Sequence, residues 1–152
     1  MNTRTQLYAE DLRQGFSFTG NDKLLTAELF EGFAALTGDG HPIHYDEGYA
    51  QKTRFGRPVA HGLLLTALTA LGSTELSPQL EASMVALISQ SAEFLKPAFI
   101  GDTLRASYTV LSNSIGKNRT TARVEFLVRI SNSEGISVLE GRHVYLLRCR
   151  PS

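Results

Sequence analysis

The stretch GDGHPIHYD, Gly38 to Asp46, holds two aspartates, two of the chain's four histidines and a proline. A carboxylate and an imidazole together can hold one water molecule, one accepting its proton while the other is placed to exchange one. Pro42 fixes its own φ and pushes His41 towards an extended shape, and a chain so constrained can turn Asp39 and His44 towards one cavity. Two other readings compete. Gly, Asp and Pro mark turns for backbone reasons alone, so the stretch could be a polar loop in which Asp39 only caps and His44 is a satisfied, half-buried histidine. His41 and His44 also have HxxH spacing with Asp39 and Asp46 beside them, the residue types that hold a metal. Against the metal, His61 and His143 lie far off in sequence, no second ligand cluster exists, and Pro42 stiffens the segment that would have to curl both rings onto one ion.

The segment RFGRPVAHGLLL, Arg54 to Leu65, supplies a second kind of group. It delivers Gly62 to the first turn of an apolar helix, where backbone amides have no internal partner and point along the positive end of the helix. With no side chain on Gly62, a substrate carbonyl could approach that N–H closely and have its developing charge stabilised. Taken alone, His61-Gly62 reads equally as a helix start that needs a tight turn.

These groups need a scaffold. Thr26 stands at an N-cap, with Leu29, Phe30, Phe33 and Leu36 following at helical spacing and Gly38 where that helix should end. Asp46 caps a second short helix, EGYAQKT, and a third is expected from about His61 to Leu71, with Gly72 as its stop. Its leucines occupy most sides, which places it in the middle of the fold. Phe16 and Phe18 suggest a short opening strand. From Ser83 the period changes to two. Met84 to Leu95 reads as a long strand with weak alternation. Leu104, Ala106, Tyr108 and Val110 form one half-buried strand, and Val124, Phe126, Val128 and Ile130 another. A turn at Ser131 to Gly135 leads to a partner strand from Ile136 to Cys149. Several antiparallel strands covering one apolar helix make an α+β fold.

Composition limits the function. At 152 residues and 42% hydrophobic, the chain has the length of one domain, residues 1–152. Fifteen basic and fifteen acidic residues cancel, which leaves no electrostatic footprint for nucleic acid. The longest apolar run, His61 to Leu71, is well short of a membrane span. The N-terminal sequence MNTRTQLYAEDLRQGF has no signal-peptide core, and a single cysteine, Cys149, permits no intrachain disulfide. A cytoplasmic globular protein is expected.

ALTGDGHPIH, followed by YA, TRFG, P and AHGLLL, resembles the MaoC-like dehydratase family, which includes (R)-specific enoyl-CoA hydratases. The similarity is densest from Phe33 to Leu71 and continues through FLKPAFIGDTL, Phe94 to Leu104. It implies a hot-dog fold, an antiparallel sheet wrapped around a long central helix, in a homodimer or higher homo-oligomer. It also implies Asp39 and His44 as the catalytic pair, with Asp39 favoured as base, and the Gly62 amide as oxyanion donor. The reaction implied is water addition to, or loss from, a 2-enoyl or 3-hydroxyacyl thioester of coenzyme A or acyl carrier protein. No metal and no redox cofactor is called for, because the thioester is itself the electron sink. The chain departs from the family at two places. The family loop reads D-x-N-P-[LI]-H, and His41 stands at its asparagine. Many relatives carry a serine where Ala70 stands, with Thr66 and Thr69 nearby. His41 and Thr66 are therefore supporting candidates. A hot-dog thioesterase, or an acyl-thioester binder without turnover, would share the scaffold. Arg54, Arg57, Lys96, Lys117 and Arg119 are candidates for meeting the carrier's phosphates.

Overall fold

The computed structural model describes residues 5–152; the first four, part of the N-terminal stretch read above for a signal-peptide core, lie outside the described residues. Three long strands follow one another in antiparallel pairs: β4 (Thr103–Ile115), β5 (Thr121–Asn132) and β6 (Ser137–Arg148). They are preceded by β1 (Ser17–Thr19), β2 (Lys23–Leu24) and β3 (Met84–Phe94), and the six-stranded sheet runs β1-β4-β5-β6-β3, with β2 also on β4. The alternation behaves as expected. Leu104, Ala106, Tyr108 and Val110 are buried on one strand, and Val124, Phe126, Val128 and Ile130 on the next, one face packed and the other solvated. The solvated face carries Arg129–Glu140 and Arg142–Glu125 pairs, both exposed, a placement that contributes little to stability. Gly141 is forced by packing: a β-carbon there would run into the Ser91 carbonyl oxygen of β3.

The weak alternation of β3 has a structural cause. It is an edge strand, paired only with β6 and interrupted by register shifts between Met84 and Ala86 and between Leu87 and Ser89. Most of it is exposed, Val85, Leu87, Ile88 and Phe94 included.

Helix α1 (Ala27–Thr37) starts and stops on the residues read for it. The Thr26 hydroxyl accepts from the Leu29 amide at 3.2 Å, and Gly38 closes the helix with φ of 79°. Phe30 and Phe33 enter the core, while Leu36 is 83% exposed. Helix α2 (Glu47–Ala50) is capped by Asp46, as expected.

The central helix is shorter than the expected His61–Leu71. α3 runs Gly62–Ala67 and gives way to tighter turns, with a 3-10 turn at Leu71–Ser73. Thr69 explains the early stop. Its hydroxyl donates to the Thr66 carbonyl at 2.6 Å, its carbonyl accepts from the Tyr108 hydroxyl at 2.9 Å, and His143 on β6 reaches its hydroxyl at 3.3 Å. A buried threonine held from three sides competes with the helical ladder. Leu64 and Leu65 are buried against the sheet, whereas Leu63 is 68% exposed, so within one chain α3 is covered on part of its surface. Among the described residues no helix is long and apolar enough to cross a membrane.

Candidate active site

After Gly38 the chain turns, and Asp39 is pinned on both sides: its carboxylate accepts from the His41 amide at 3.3 Å, and its carbonyl from the Tyr45 hydroxyl at 2.7 Å. Pro42–His44 then form a single 3-10 turn. His44 leaves that turn with Nδ1 2.7 Å from the Val59 carbonyl oxygen. A carbonyl only accepts, so Nδ1 carries the hydrogen and neutral His44 presents a bare Nε2. The Val59 amide returns a bond to the Ile43 carbonyl at 3.2 Å, which ties the loop to the segment leading into α3. One carboxylate oxygen of Asp39 and one ring nitrogen each of His44 and His61 lie within 4.8 Å of one another. Two hydrogen bonds of about 2.8 Å meeting at an open angle span such a gap, so one water can touch both Asp39 and His44.

His61 comes with them, brought from 17 residues beyond His44 by α3, whose N-cap it is. Its ring is 2% exposed and lies face to face with His44, centroids 3.8 Å apart and planes at 24°. Its Nε2 is 2.5 Å from the Tyr45 hydroxyl oxygen. Because that hydroxyl gives its hydrogen to the Asp39 carbonyl, Nε2–H of His61 is the donor, and its buried Nδ1 has no partner. Burial, reinforced by the neighbouring His44 and opposed by Asp39, pushes the His61 pKa below its ordinary value. Burial first, then the Asp39 charge, pushes that of Tyr45 up. Both stay neutral near pH 7. Asp39, His44 and His61 have the ligand types of a metal site, but nearly parallel stacked rings direct their lone pairs side by side, not onto one ion about 2 Å from each.

Gly62 opens onto a cavity of about 280 Å³ that also touches Val59, Ala60, Leu65, Phe94, Arg54 and Lys96. No side chain caps the first turn of α3, which leaves its leading amides without that partner. Asp39 and His44 are not in the cavity wall; Val59, whose carbonyl holds His44, is the shared element. A larger polar hollow of about 400 Å³ around Asp22 and Arg105 holds none of these groups.

A family profile, described as MaoC like domain, matches residues 14–130. The chain belongs to the MaoC-like dehydratase family. Its sheet and central helix are the hot-dog fold expected from the sequence. The chain is 31% identical over 143 residues to the (R)-specific enoyl-CoA hydratase of Rhodospirillum rubrum, an alignment covering 94% of this chain and 93% of that protein. It is 36% identical over 104 residues to the 3-hydroxybutyryl-CoA dehydratase of Methylorubrum extorquens, covering 68% of this chain and 64% of that one. The solved (R)-hydratase of Aeromonas caviae, involved in PHA biosynthesis, superposes with a TM-score of 0.74 at 28% identity, over 90% of this chain and 97% of that one.

Within this MaoC-like site the residues read from the sequence separate. Asp39 and His44 converge, and Gly62 faces a cavity. His41 does not join them. Its Nδ1 accepts from the Ile43 amide at 3.2 Å and caps the 3-10 turn, the bond an asparagine oxygen makes at a cap. Its departure from the family loop is therefore conservative in hydrogen bonding. Thr66 stays within its own helix, its hydroxyl donating to the Gly62 carbonyl at 3.3 Å. Of the five cations, Arg54 and Lys96 border the cavity, Arg57 lies over the Phe99 ring at 4.0 Å, and Lys117 and Arg119 sit in the β4–β5 turn. Sequence reasoning missed His61 and Tyr45. The signal available for His61 was a histidine directly before the helix-opening glycine with apolar neighbours on both sides, a position that buries it.

Proposed function

We propose that this chain adds water to 2-enoyl thioesters of coenzyme A, or removes it from the 3-hydroxyacyl products, with Asp39 and His44 as the acid–base pair and the Gly62 amide as oxyanion donor. The observation that carries this reading is the approach of the Asp39 carboxylate and the His44 ring to within 4.8 Å. The thioester oxygen accepts from the Gly62 N–H, which draws charge from the double bond. Asp39 and the bare Nε2 of His44 hold the water. As its oxygen bonds to C3, its proton passes to the pair, and a proton from the pair is delivered to C2. The two groups share the water and its proton, so the base is written as the pair. The reaction needs no metal or redox cofactor, since the thioester carbonyl takes up the electron density.

Asp39→Asn and His44→Ala should each lower the rate of enoyl-CoA hydration, read as loss of conjugated enoyl absorbance, by ~10²-fold or more, with the melting temperature close to the parent's. Near-normal turnover in both would overturn the assignment. A parallel assay for free thiol separates this chemistry from thioester hydrolysis.

The carrier and the assembly belong to the same reading. Arg54 and Lys96 at the cavity rim suit the phosphates of coenzyme A. Replacing both with alanine should raise KM for an enoyl-CoA and leave that for the phosphate-free N-acetylcysteamine thioester unchanged; equal effects on both would refute the contact. The free edge of β3, with Val85, Leu87 and Ile88 exposed, and the uncovered Leu63 of α3 fit pairing with a second copy of this chain. Sedimentation as a monomer at micromolar concentration would refute that pairing. A cytoplasmic location fits the lone buried Cys149.

A further inference from the structure

His61 takes no part in the mechanism above, yet it is the most constrained of the four site side chains. One face of its ring lies on His44 at 3.8 Å. Phe33, at 4.8 Å and 54°, and Phe30, at 5.7 Å and 74°, pack around it from α1. Its Nε2–H points at the Tyr45 hydroxyl, which is itself fixed on the Asp39 carbonyl. Three parts of the chain thus meet on one buried ring: α1, the 3-10 loop and the start of α3. His44 has one hydrogen bond, from Nδ1 to Val59, and the His41 and Tyr45 rings meet it only edge-on, at 6.3 and 5.9 Å. That bond sets the position of one ring atom but allows the ring to rock about it. A flat partner stacked on the ring removes the rocking.

We propose that His61 is a positioning residue for His44. It is a neutral, buried imidazole, locked by Tyr45, that holds the His44 ring in the plane from which Nε2 meets the water shared with Asp39. The proposal rests on the assignment of Asp39 and His44 as the acid–base pair. Three groups face His61 with titratable atoms: Asp39, His44 and Tyr45. Of these Tyr45 stays a neutral hydroxyl, and a proton on His61 would stand against the one His44 must gain and lose. The ring therefore works by its shape and by its Nε2–H bond, not by taking the substrate's proton. The bond also links the ring to the backbone of Asp39, so a single contact chain, Asp39 carbonyl to Tyr45 hydroxyl to His61 to His44, sets the spacing of the pair.

The consequences can be read with and without substrate. A catalytic group displaced by about 1 Å can lose ~10²-fold in rate, so His61→Asn, which removes the platform, should lower kcat for enoyl-CoA hydration by about 10- to 100-fold while KM changes less than about twofold. His61→Phe, which keeps a ring, should lose less than His61→Asn. Tyr45→Phe, which leaves the His61 ring in place and removes its lock, should fall between them and provides a second readout should His61→Asn fail to fold. In 15N-histidine spectra of the parent protein, the His61 signals should report hydrogen on Nε2 alone and those of His44 hydrogen on Nδ1 alone; Tyr45→Phe should give His61 mixed tautomers. Folded His61→Asn and Tyr45→Phe proteins with unchanged kcat, or a loss confined to KM, would overturn the proposal, as would mixed His61 tautomers in the parent. If Asp39→Asn and His44→Ala are inactive while the His61 variants are not, only the positioning role falls. If those two are active, the acid–base assignment falls, and the tautomer signals still judge the Tyr45–His61 lock.

Discussion

The Gly62→Ala substitution tests the oxyanion assignment with little disturbance elsewhere. A β-carbon at Gly62 would sit 2.9 Å from Cζ of Phe94 and 3.1 Å from its two Cε atoms. Carbons in contact rest at about 3.5–4.0 Å, so the ring has to retreat by roughly 0.5–1 Å. Phe94 ends an edge strand and is 52% exposed, so its ring can swing towards solvent. Repositioning it costs on the order of 1 kcal/mol, an off-rotamer penalty, and alanine returns up to about 1 kcal/mol over glycine in a helix. The two nearly cancel, and a residue of 1 kcal/mol moves Tm by only ~2–4 °C in a chain of this size. The effect on activity is of another order. The methyl group stands at the cavity wall through which a thioester oxygen must reach the amide, and loss of one such donor costs ~10²–10³ in rate. The assay is kcat/KM for a short enoyl-CoA beside a thermal melt. The double substitution Gly62→Ala with Phe94→Ala relieves the ring contact but keeps the methyl, so it should stay slow. A Gly62→Ala enzyme within twofold of the parent in kcat/KM would refute the reasoning. So would full recovery in the double variant, because the loss would then belong to the displaced ring.

Because His41 caps the 3-10 turn through Nδ1, His41→Asn should retain hydration activity within a fewfold, whereas His41→Ala should destabilise the loop by about 1 kcal/mol and lower kcat; equal activity in the two, read in the same absorbance assay, would remove the cap from the account. Acid should weaken the fold through His61 and His143, both buried, neutral and shifted by burial below the ordinary histidine value of 6.5. The unfolded chain binds their protons first, so stability is complete above that value. It falls as pH drops below it, by up to about 1.4 kcal/mol per pH unit for each histidine. The shifted carboxylates Glu10, Asp22 and Glu28 have ordinary values of 4.5 or lower and act at more acid pH, so equal urea midpoints near neutrality and near pH 5.5 would contradict the burial of the two histidines.

Much of this architecture is local, and local features were legible. Thr26 and Gly38 bound α1 by side-chain and left-handed capping, and the buried runs of β4 and β5 follow a period that a strand cannot disguise. What escaped the sequence depends on partners distant along the chain. α3 stops at Ala67 because Tyr108 and His143, on two strands, claim the backbone and hydroxyl of Thr69. β3 alternates weakly because neither of its faces is covered within the chain. His41, a supporting candidate from its place in the loop, has its role decided by a single bond from the Ile43 amide.

The candidate site divides along the same line. Asp39 and His44 lie within a few residues of each other, so their convergence could be expected from spacing. His61 was set aside for its distance along the chain, yet it is the group His44 lies against. Sequence separation says nothing about separation in space once a helix start is bonded back to a loop, and here that bonding is explicit. Val59 takes hydrogen from His44 and gives its own to Ile43, and Ala60 bonds to Ala98, so the strand-like approach to α3 is laid against the loop before the helix begins. Once those bonds form, His61 can only face inward, over His44 and beneath Phe30 and Phe33. The glycine that follows can only face the cavity. The proposed acid–base pair and the Gly62 amide are therefore set by one short segment, Val59 to Gly62, and a change in its register would displace both.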